Sequence, residues 1–245
     1  MKERLIQILE SIKFAFQALV INKMRTLLSV LGITIGIFCI ISVLTVVDYM
    51  KNGIKSSIES LGTDVLYVMK WPWDFGEEYP WWKYMKRPDV SFQEMQDLER
   101  VFLSSEAIDK VAFTMSVNNY TIKAGDNSVS NFSGMAVSHY YEQMTNLNIQ
   151  KGRYFTEFES KTGSASIILG SEMAKNLYDS RDPIGKELVY LGRKLTVIGV
   201  LEAQGDNLFG GNNDNSVLIP VNLLRKIMST NRGRGEPMIM VKAGN

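Results

Sequence analysis

The residues able to do chemistry are few. The chain of 245 residues carries one histidine and one cysteine. His139 stands beside Tyr140 and Tyr141 in an expected turn, a setting that reads as structural. Cys39 lies inside the apolar run Leu27 to Val47, so neither a disulfide framework nor a Cys/His metal cluster is available. Paired carboxylates could serve acid–base catalysis. However, Glu77-Glu78 and the pair Glu157 and Glu159 have nothing in the spacing to set a second carboxylate opposite them, and they read as solvated faces. The sequence contains no glycine-rich phosphate loop ending in Gly-Lys-Ser/Thr, no Gly-x-Ser-x-Gly elbow and no His-Glu-x-x-His zinc helix. No catalytic role, cofactor or metal is therefore expected. Lys and Arg number 27 against 26 Asp and Glu, a net charge of +1. That balance lacks the basic face nucleic-acid binders need, so no nucleic-acid partner is expected.

The element that dominates the chain is instead the uncharged run Leu27 to Val47. At about 1.5 Å per residue it reaches roughly 30 Å, the thickness of a bilayer's hydrocarbon core. A cleavable signal peptide would have a shorter apolar region and a small-residue cleavage site. This run ends in Val46-Val47-Asp48-Tyr49, and bulky Phe38 before Cys39 argues against a lipoprotein signal. It reads as a retained transmembrane helix. Lys2, Arg4, Lys13, Lys23 and Arg25 precede it, against Lys51 and Lys55 after it. The excess of positive charge places residues 1–26 in the cytoplasm and residues 48–245 outside. Within 1–26, Leu5, Ile8, Leu9, Ile12, Phe16, Leu19 and Val20 recur at helical spacing, with charged residues opposite. Such an amphipathic helix lies in the cytoplasmic interface or packs on other protein.

Small residues in the span are not scattered. Ser29, Gly32, Gly36 and Cys39 recur at spacings of three and four, forming one stripe, and Gly32 with Gly36 makes a G-x-x-x-G pair. Such stripes let a second helix approach closely in lipid, where apolar burial alone gives helices no reason to associate. A second candidate surface is the Pro-interrupted aromatic loop 71–84, which holds Trp71, Trp73, Trp81 and Trp82. It packs over its own domain, seats on the membrane interface, or receives a partner.

The remainder reads as an α+β domain of hairpins and separate helices. The first helix continues to Leu61 with Gly62 as a cap, and a strand follows at 65–69. Ser91 and Glu94 form a capping box for a helix to Arg100. Strands are expected at 110–115, 120–124, 129–137, 165–169, 187–190, 194–201 and 217–219, with Gly125-Asp126-Asn127 and Leu191-Gly192-Arg193 as hairpin turns. Helices are expected at 171–178 and from Pro220 to 228, and Gly205 to Asn215 is expected to be a mobile loop.

The segment Asn22-Lys-Met-Arg-Thr-Leu-Leu-Ser-Val-Leu-Gly-Ile-Thr-Ile-Gly36 resembles the entry to the first transmembrane helix of MacB-type, FtsX-like ABC-transporter permeases. Behind it, in the order of that family's periplasmic core domain, come Asn148-Ile-Gln-Lys-Gly-Arg-Tyr-Phe155, Ile168-Leu-Gly170, Asp182-Pro-Ile-Gly-Lys186, Val197-Ile-Gly-Val200 and Ile219-Pro220. The resemblance implies a two-lobed α+β domain outside the inner membrane, one lobe inserted distally. It also implies a homo- or heterodimeric permease and a separate ATPase subunit in the cytoplasm. Family permeases have three further transmembrane helices after this domain, so the chain reads as a fragment or truncated frame that does not transport alone. Three functions follow from these readings: export or extraction of a substrate, FtsX-like activation of a cell-wall hydrolase, or a freestanding anchored binding protein. A periplasmic adaptor or hydrolase is the partner expected outside.

Overall fold

The computed structural model describes residues 2–61, 64–71, 81–102, 108–118, 120–145, 147–179, 181–204, 213–228 and 235–244. The chain divides into two compact units, Met1–Gly53 and Ile54–Asn245. Helix α1 spans Lys2–Ile21 and α2 spans Lys23–Leu61, with a turn at Asn22 between them. Gly62, the expected cap, lies outside the described residues.

After α2 the elements are β1 Val65–Val68, α3 Trp81–Met85, α4 Phe92–Phe102, β2 Ile108–Ser116, β3 Ile122–Ala124, β4 Asn127–Val129 and β5 Ser133–Val137. There follow α5 Tyr141–Met144, β6 Ile149–Gly152, α6 Glu157–Thr162, β7 Ser166–Leu169, α7 Ser171–Tyr178 and β8 Glu187–Tyr190. The last are β9 Arg193–Leu201, β10 Ser216–Pro220, α8 Val221–Ile227 and β11 Pro237–Ala243. Among the described residues, the strands form one sheet in the order β1-β11-β2-β5-β10-β7-β9-β8-β3-β4, with β6 added on β9. Only β5 with β10 and β7 with β9 run parallel; the other pairings are antiparallel. The expected mixed α/β body behind a long apolar helix is thus present, and its strands belong to a single sheet.

Period-two alternation explains why the central strands are apolar throughout. In β2, Val111, Phe113 and Met115 enter one core cluster while Ala112 enters the other. In β7, Ile167 and Leu169 face the first and Ile168 the second. Both faces are covered: Phe92 and Met95 of α4, Met173 and Leu177 of α7 and Leu223 and Leu224 of α8 on the first, Tyr141 and Met144 of α5 on the second. A strand buried on both faces must be a continuous apolar run. The capping box at α4 is formed, Glu94 N–H donating to Ser91 Oγ at 3.2 Å and Ser91 N–H to Glu94 Oε2 at 2.7 Å.

Three expectations need correction. The strand expected over 129–137 is two, because Asn131 takes a left-handed φ of 59°. Asn tolerates that conformation, and the chain leaves β3 to pair β5 with β2 and β10 instead. Residues 81–85 of the expected aromatic loop form a helix, α3. Pro80 directly before it in sequence suits a helix start. The end of the expected mobile loop is fixed: the Asp214 carbonyl accepts from Glu172 and Met173 N–H, at 3.0 and 3.2 Å, and so satisfies the start of α7, which has no side-chain cap. Residues 205–212 lie outside the described residues.

Candidate functional site: an apolar helix ahead of a mixed sheet

Helix α2 contains 33 residues, Lys23–Lys55, long and apolar enough to cross a membrane, and none of its most apolar stretch is buried. Ile33, Phe38, Ile40 and Val43 are each more than half exposed. Contiguous exposure on this scale needs a covering that the described residues do not supply, and lipid is the covering that fits the uncharged run 27–47. The polar groups of the span agree. Thr34 and Thr45 hydroxyls donate to the carbonyls of Val30 and Ile41, both at 2.8 Å, so neither needs water.

Ser29, Gly32, Gly36 and Cys39 are all exposed on this helix. A Cβ added to Gly32 or Gly36 would meet nothing within 4 Å. Nothing among the described residues packs on the stripe, and it is open to another helix. The tryptophans divide. Trp71 is half-buried, with Lys70 Nζ 5.5 Å from its ring centroid. Trp82 on α3 is 63% exposed. Trp73 lies outside the described residues, as does the side chain of Trp81.

The five sequence segments behind the membrane motif come together, and the reason is packing. Gly152 of β6 and Gly199 of β9 are register partners. Gly152 has φ +78°, and a Cβ there would collide with the Ile198 carbonyl; a Cβ at Gly199 would lie 2.7 Å from the Arg153 carbonyl. Arg153 N–H donates to Ile198 O at 3.0 Å across this close approach. The Asp182–Lys186 segment docks on the same strand, Gly185 N–H to Val197 O at 2.8 Å and Val197 N–H to Lys186 O at 2.9 Å. Ile168 pairs with Gly199 in the parallel β7–β9 ladder, and β10 with Ile219-Pro220 pairs with β7. These residues build the sheet around β9.

The acidic pair 157/159 divides: Glu157 is exposed, as expected of a solvated face, and Glu159 is half-buried. Glu159 accepts two hydrogen bonds from the Arg153 guanidinium, at 2.6 and 2.8 Å, and completes a capping box with Thr156. The Arg153 hydrogen bonds, with those from Thr156, lower its pKa to about 2. Glu157 pairs with Lys161 at 2.6 Å. The other acidic pair, Glu77-Glu78, lies outside the described residues. His139 is half-buried, its ring centroid 5.1 Å from that of Tyr140 and tilted by 59° to it. Among the described residues no group of three His, Cys, Asp or Glu could hold a metal ion.

Residues 26–245 match the MacB-like periplasmic core domain. The chain belongs to that family. Its sequence is 27% identical over 219 residues to the macrolide export ATP-binding/permease protein MacB of Wolinella succinogenes, covering 88% of this chain and 32% of that protein. It is 23% identical over 221 residues to the pyoverdine export ATP-binding/permease protein PvdT of Pseudomonas aeruginosa, covering 87% and 30%. This MacB-like chain thus spans about a third of the length of the curated relatives it matches. In fold it is similar to the periplasmic region of MacB from Actinobacillus actinomycetemcomitans, with a TM-score of 0.59 at 17% identity over 77% of this chain and 78% of that one. It is also similar to the extracellular domain of the ABC-type transporter YknZ from Gram-positive bacteria, with a TM-score of 0.52 at 20% identity over 64% and 74%.

Proposed function

We propose that this chain is the N-terminal part of a permease subunit of a MacB-type ABC transporter in the bacterial cytoplasmic membrane. Residues 1–26 face the cytoplasm, 27–47 cross the bilayer and 48–245 stand outside. The observation that carries this reading is the unburied apolar helix α2 leading, within a few residues, into β1 of a MacB-like core domain.

In such a machine the chain's task is mechanical. ATP is hydrolysed in the cytoplasm by a partner ATPase, a coupling that the relatives' name, ATP-binding/permease protein, supports. Motion reaches the outer domain through the membrane helices of a permease dimer, homo- or heteromeric. A sheet buried on both faces moves as one body, because close-packed interiors transmit displacement rather than absorb it. The outcome proposed is export or extraction of a substrate. Relatives named for macrolide and for pyoverdine export carry unlike cargoes on one domain type, so the family does not fix the substrate.

The test is purification of the full-length permease from its native membrane. An ATPase with a phosphate loop should co-purify in fixed ratio, and its removal should abolish substrate movement. Millimolar ATP should leave the melting temperature of the isolated chain unchanged, whereas a ligand at 100 times its Kd would add about 2.7 kcal/mol. Absence of any ATPase, or ATP stabilisation of the isolated chain, would count against the assignment.

A further inference from the structure

The chain holds 13 methionines against one cysteine and one histidine. Met95, Met115, Met144, Met173 and Met240 fill the core of the body Ile54–Asn245, each at most 4% exposed. Met69, Met135 and Met238 do not. Each is half-buried, and together they wall one open cavity of about 140 Å³. A gap-filling methionine closes the space beside it, whereas these three leave it open.

The strand ladders bring them to one face of the sheet. Antiparallel partners share a face, as do residues two apart on a strand. Met238 of β11 is the partner of Thr114 on β2, and Met135 of β5 is the partner of Ser116, two residues further along β2. Met69 follows Val68, whose partner is Ile239, and so comes up beside Met238 at a strand spacing of about 4.8 Å. Between Met238 and Met135 stand the short side chains of Thr114 and Ser116, both on the cavity wall. A thioether arm has three rotatable bonds, enough to lean over these hydroxyls toward a common point.

The donor set selects the ion. Thioether sulfur is neutral, soft and polarisable, and it favours Cu(I) and Ag(I) over Zn²⁺, Mg²⁺ or Ca²⁺, which take imidazole, thiolate or oxygen. A monovalent ion is also the cheaper one to desolvate among neutral donors, because the solvation cost grows with the square of the charge. Trp71 lines the same cavity and already receives a cation at its ring, Lys70 Nζ 5.5 Å from the centroid. Lys70 repels a second cation only weakly, since Asp89 pairs with it at 3.4 Å and the Glu236 carboxylate stands on the same wall. We propose that Met69, Met135 and Met238 bind one soft monovalent cation, Cu(I) or Ag(I), in this cavity beside Trp71. The inference goes beyond the transporter reading and stands or falls separately, because every group in it belongs to the one body.

A thioether has no proton to lose, so binding should not depend on pH, unlike binding at histidine, carboxylate or thiolate. The full chain carrying Cys39→Ser, in detergent micelles and chloride-free buffer, is titrated calorimetrically with silver nitrate at mildly acidic and at neutral pH. One site of equal affinity under both conditions is expected. Met69→Leu, Met135→Leu and Met238→Leu, which conserve volume, should each weaken it about ten-fold, while Met173→Leu in the core should not. X-ray absorption at the silver edge of the same Cys39→Ser chain should show sulfur neighbours alone, a measurement that needs no cavity variant to fold. Four results would overturn the proposal: no saturable binding at micromolar silver; affinity that rises steeply with pH; cavity variants that bind as tightly as the Met173→Leu chain; or nitrogen or oxygen in place of sulfur around the bound silver.

Discussion

Ile33 and Phe38 in α2 are more than half exposed, whereas Ile167, Ile168 and Leu169 in β7 have lost all contact with solvent. The two stretches are similarly apolar in sequence, yet the chain covers one and leaves the other bare. The difference shows where each is stabilised. The sheet's apolar residues are held by the chain's own helices on both faces, and the helix's by whatever surrounds it outside the chain. The same holds for glycine. Gly199 is hemmed in by the Arg153 carbonyl, while Gly32 and Gly36 face open space. In the sheet glycine makes room for the chain itself, and in the helix it makes room for something else.

The strongest way to break this contrast is to make one kind of truncation in both regions. Ile168→Ala should destabilise the body by about 2–5 kcal/mol, because it removes fully buried atoms and leaves a cavity. Leu31→Ala in α2 should leave the same denaturant midpoint of the full chain in detergent unchanged, since Leu31 is 52% exposed. Equal losses would mean that the chain itself covers the helix.

Gly199→Ala sharpens the contrast further. Its Cβ would press on a backbone carbonyl that cannot move aside, at a cost of about 2 kcal/mol. Gly32→Ala should cost nothing in the body's melting temperature. A tolerated Gly199→Ala would show that the β6–β9 approach is looser than described.

How much of this was legible in sequence follows from the same physics. The long apolar helix was readable because an uncharged run of that length has few other uses. The resemblance segments were readable because close backbone approach at Gly152 and Gly199 admits no other residue without collision. Hairpin turns and the Ser91 capping box declare themselves locally, and the structure keeps them. What local reading missed is set by partners distant in sequence. The break at Asn131 depends on β5 leaving β3 for β2 and β10, and Asp214 is fixed by the start of α7 some forty residues earlier. The hollow between α4, α6 and α8 joins residues from 92 to 225, and no spacing in the chain announces it.

A smaller effect is expected at the Arg153–Glu159 pair. Glu159 has a folded pKa lowered to about 2, so its contribution is present above its ordinary carboxyl range and is lost as pH falls through that range toward 2. Arg153→Ala should cost about 1 kcal/mol at neutral pH and flatten the acid limb of the stability profile, read by denaturation at stepped pH. An unchanged acid limb would show the pair to be incidental.

The smallest effect on the chain's own stability should come from the helix stripe, and it should be visible only in assembly. Gly32→Leu or Gly36→Leu should reduce the detergent-resistant dimer and the co-purifying ATPase of the full-length permease, while Ile33→Leu should not. If all three variants assemble alike, the open glycine face is not a packing surface.

The central claim is that α2 crosses a membrane with the sheet domain outside, and accessibility tests it most directly. In a Cys39→Ser background, single cysteines replacing Lys13 and Ser128 are treated with an impermeant thiol reagent in intact spheroplasts. The account predicts labelling at 128 and protection at 13 until the membrane is opened. Labelling at 13 with protection at 128, or labelling at both with the chain in the soluble fraction, would contradict it.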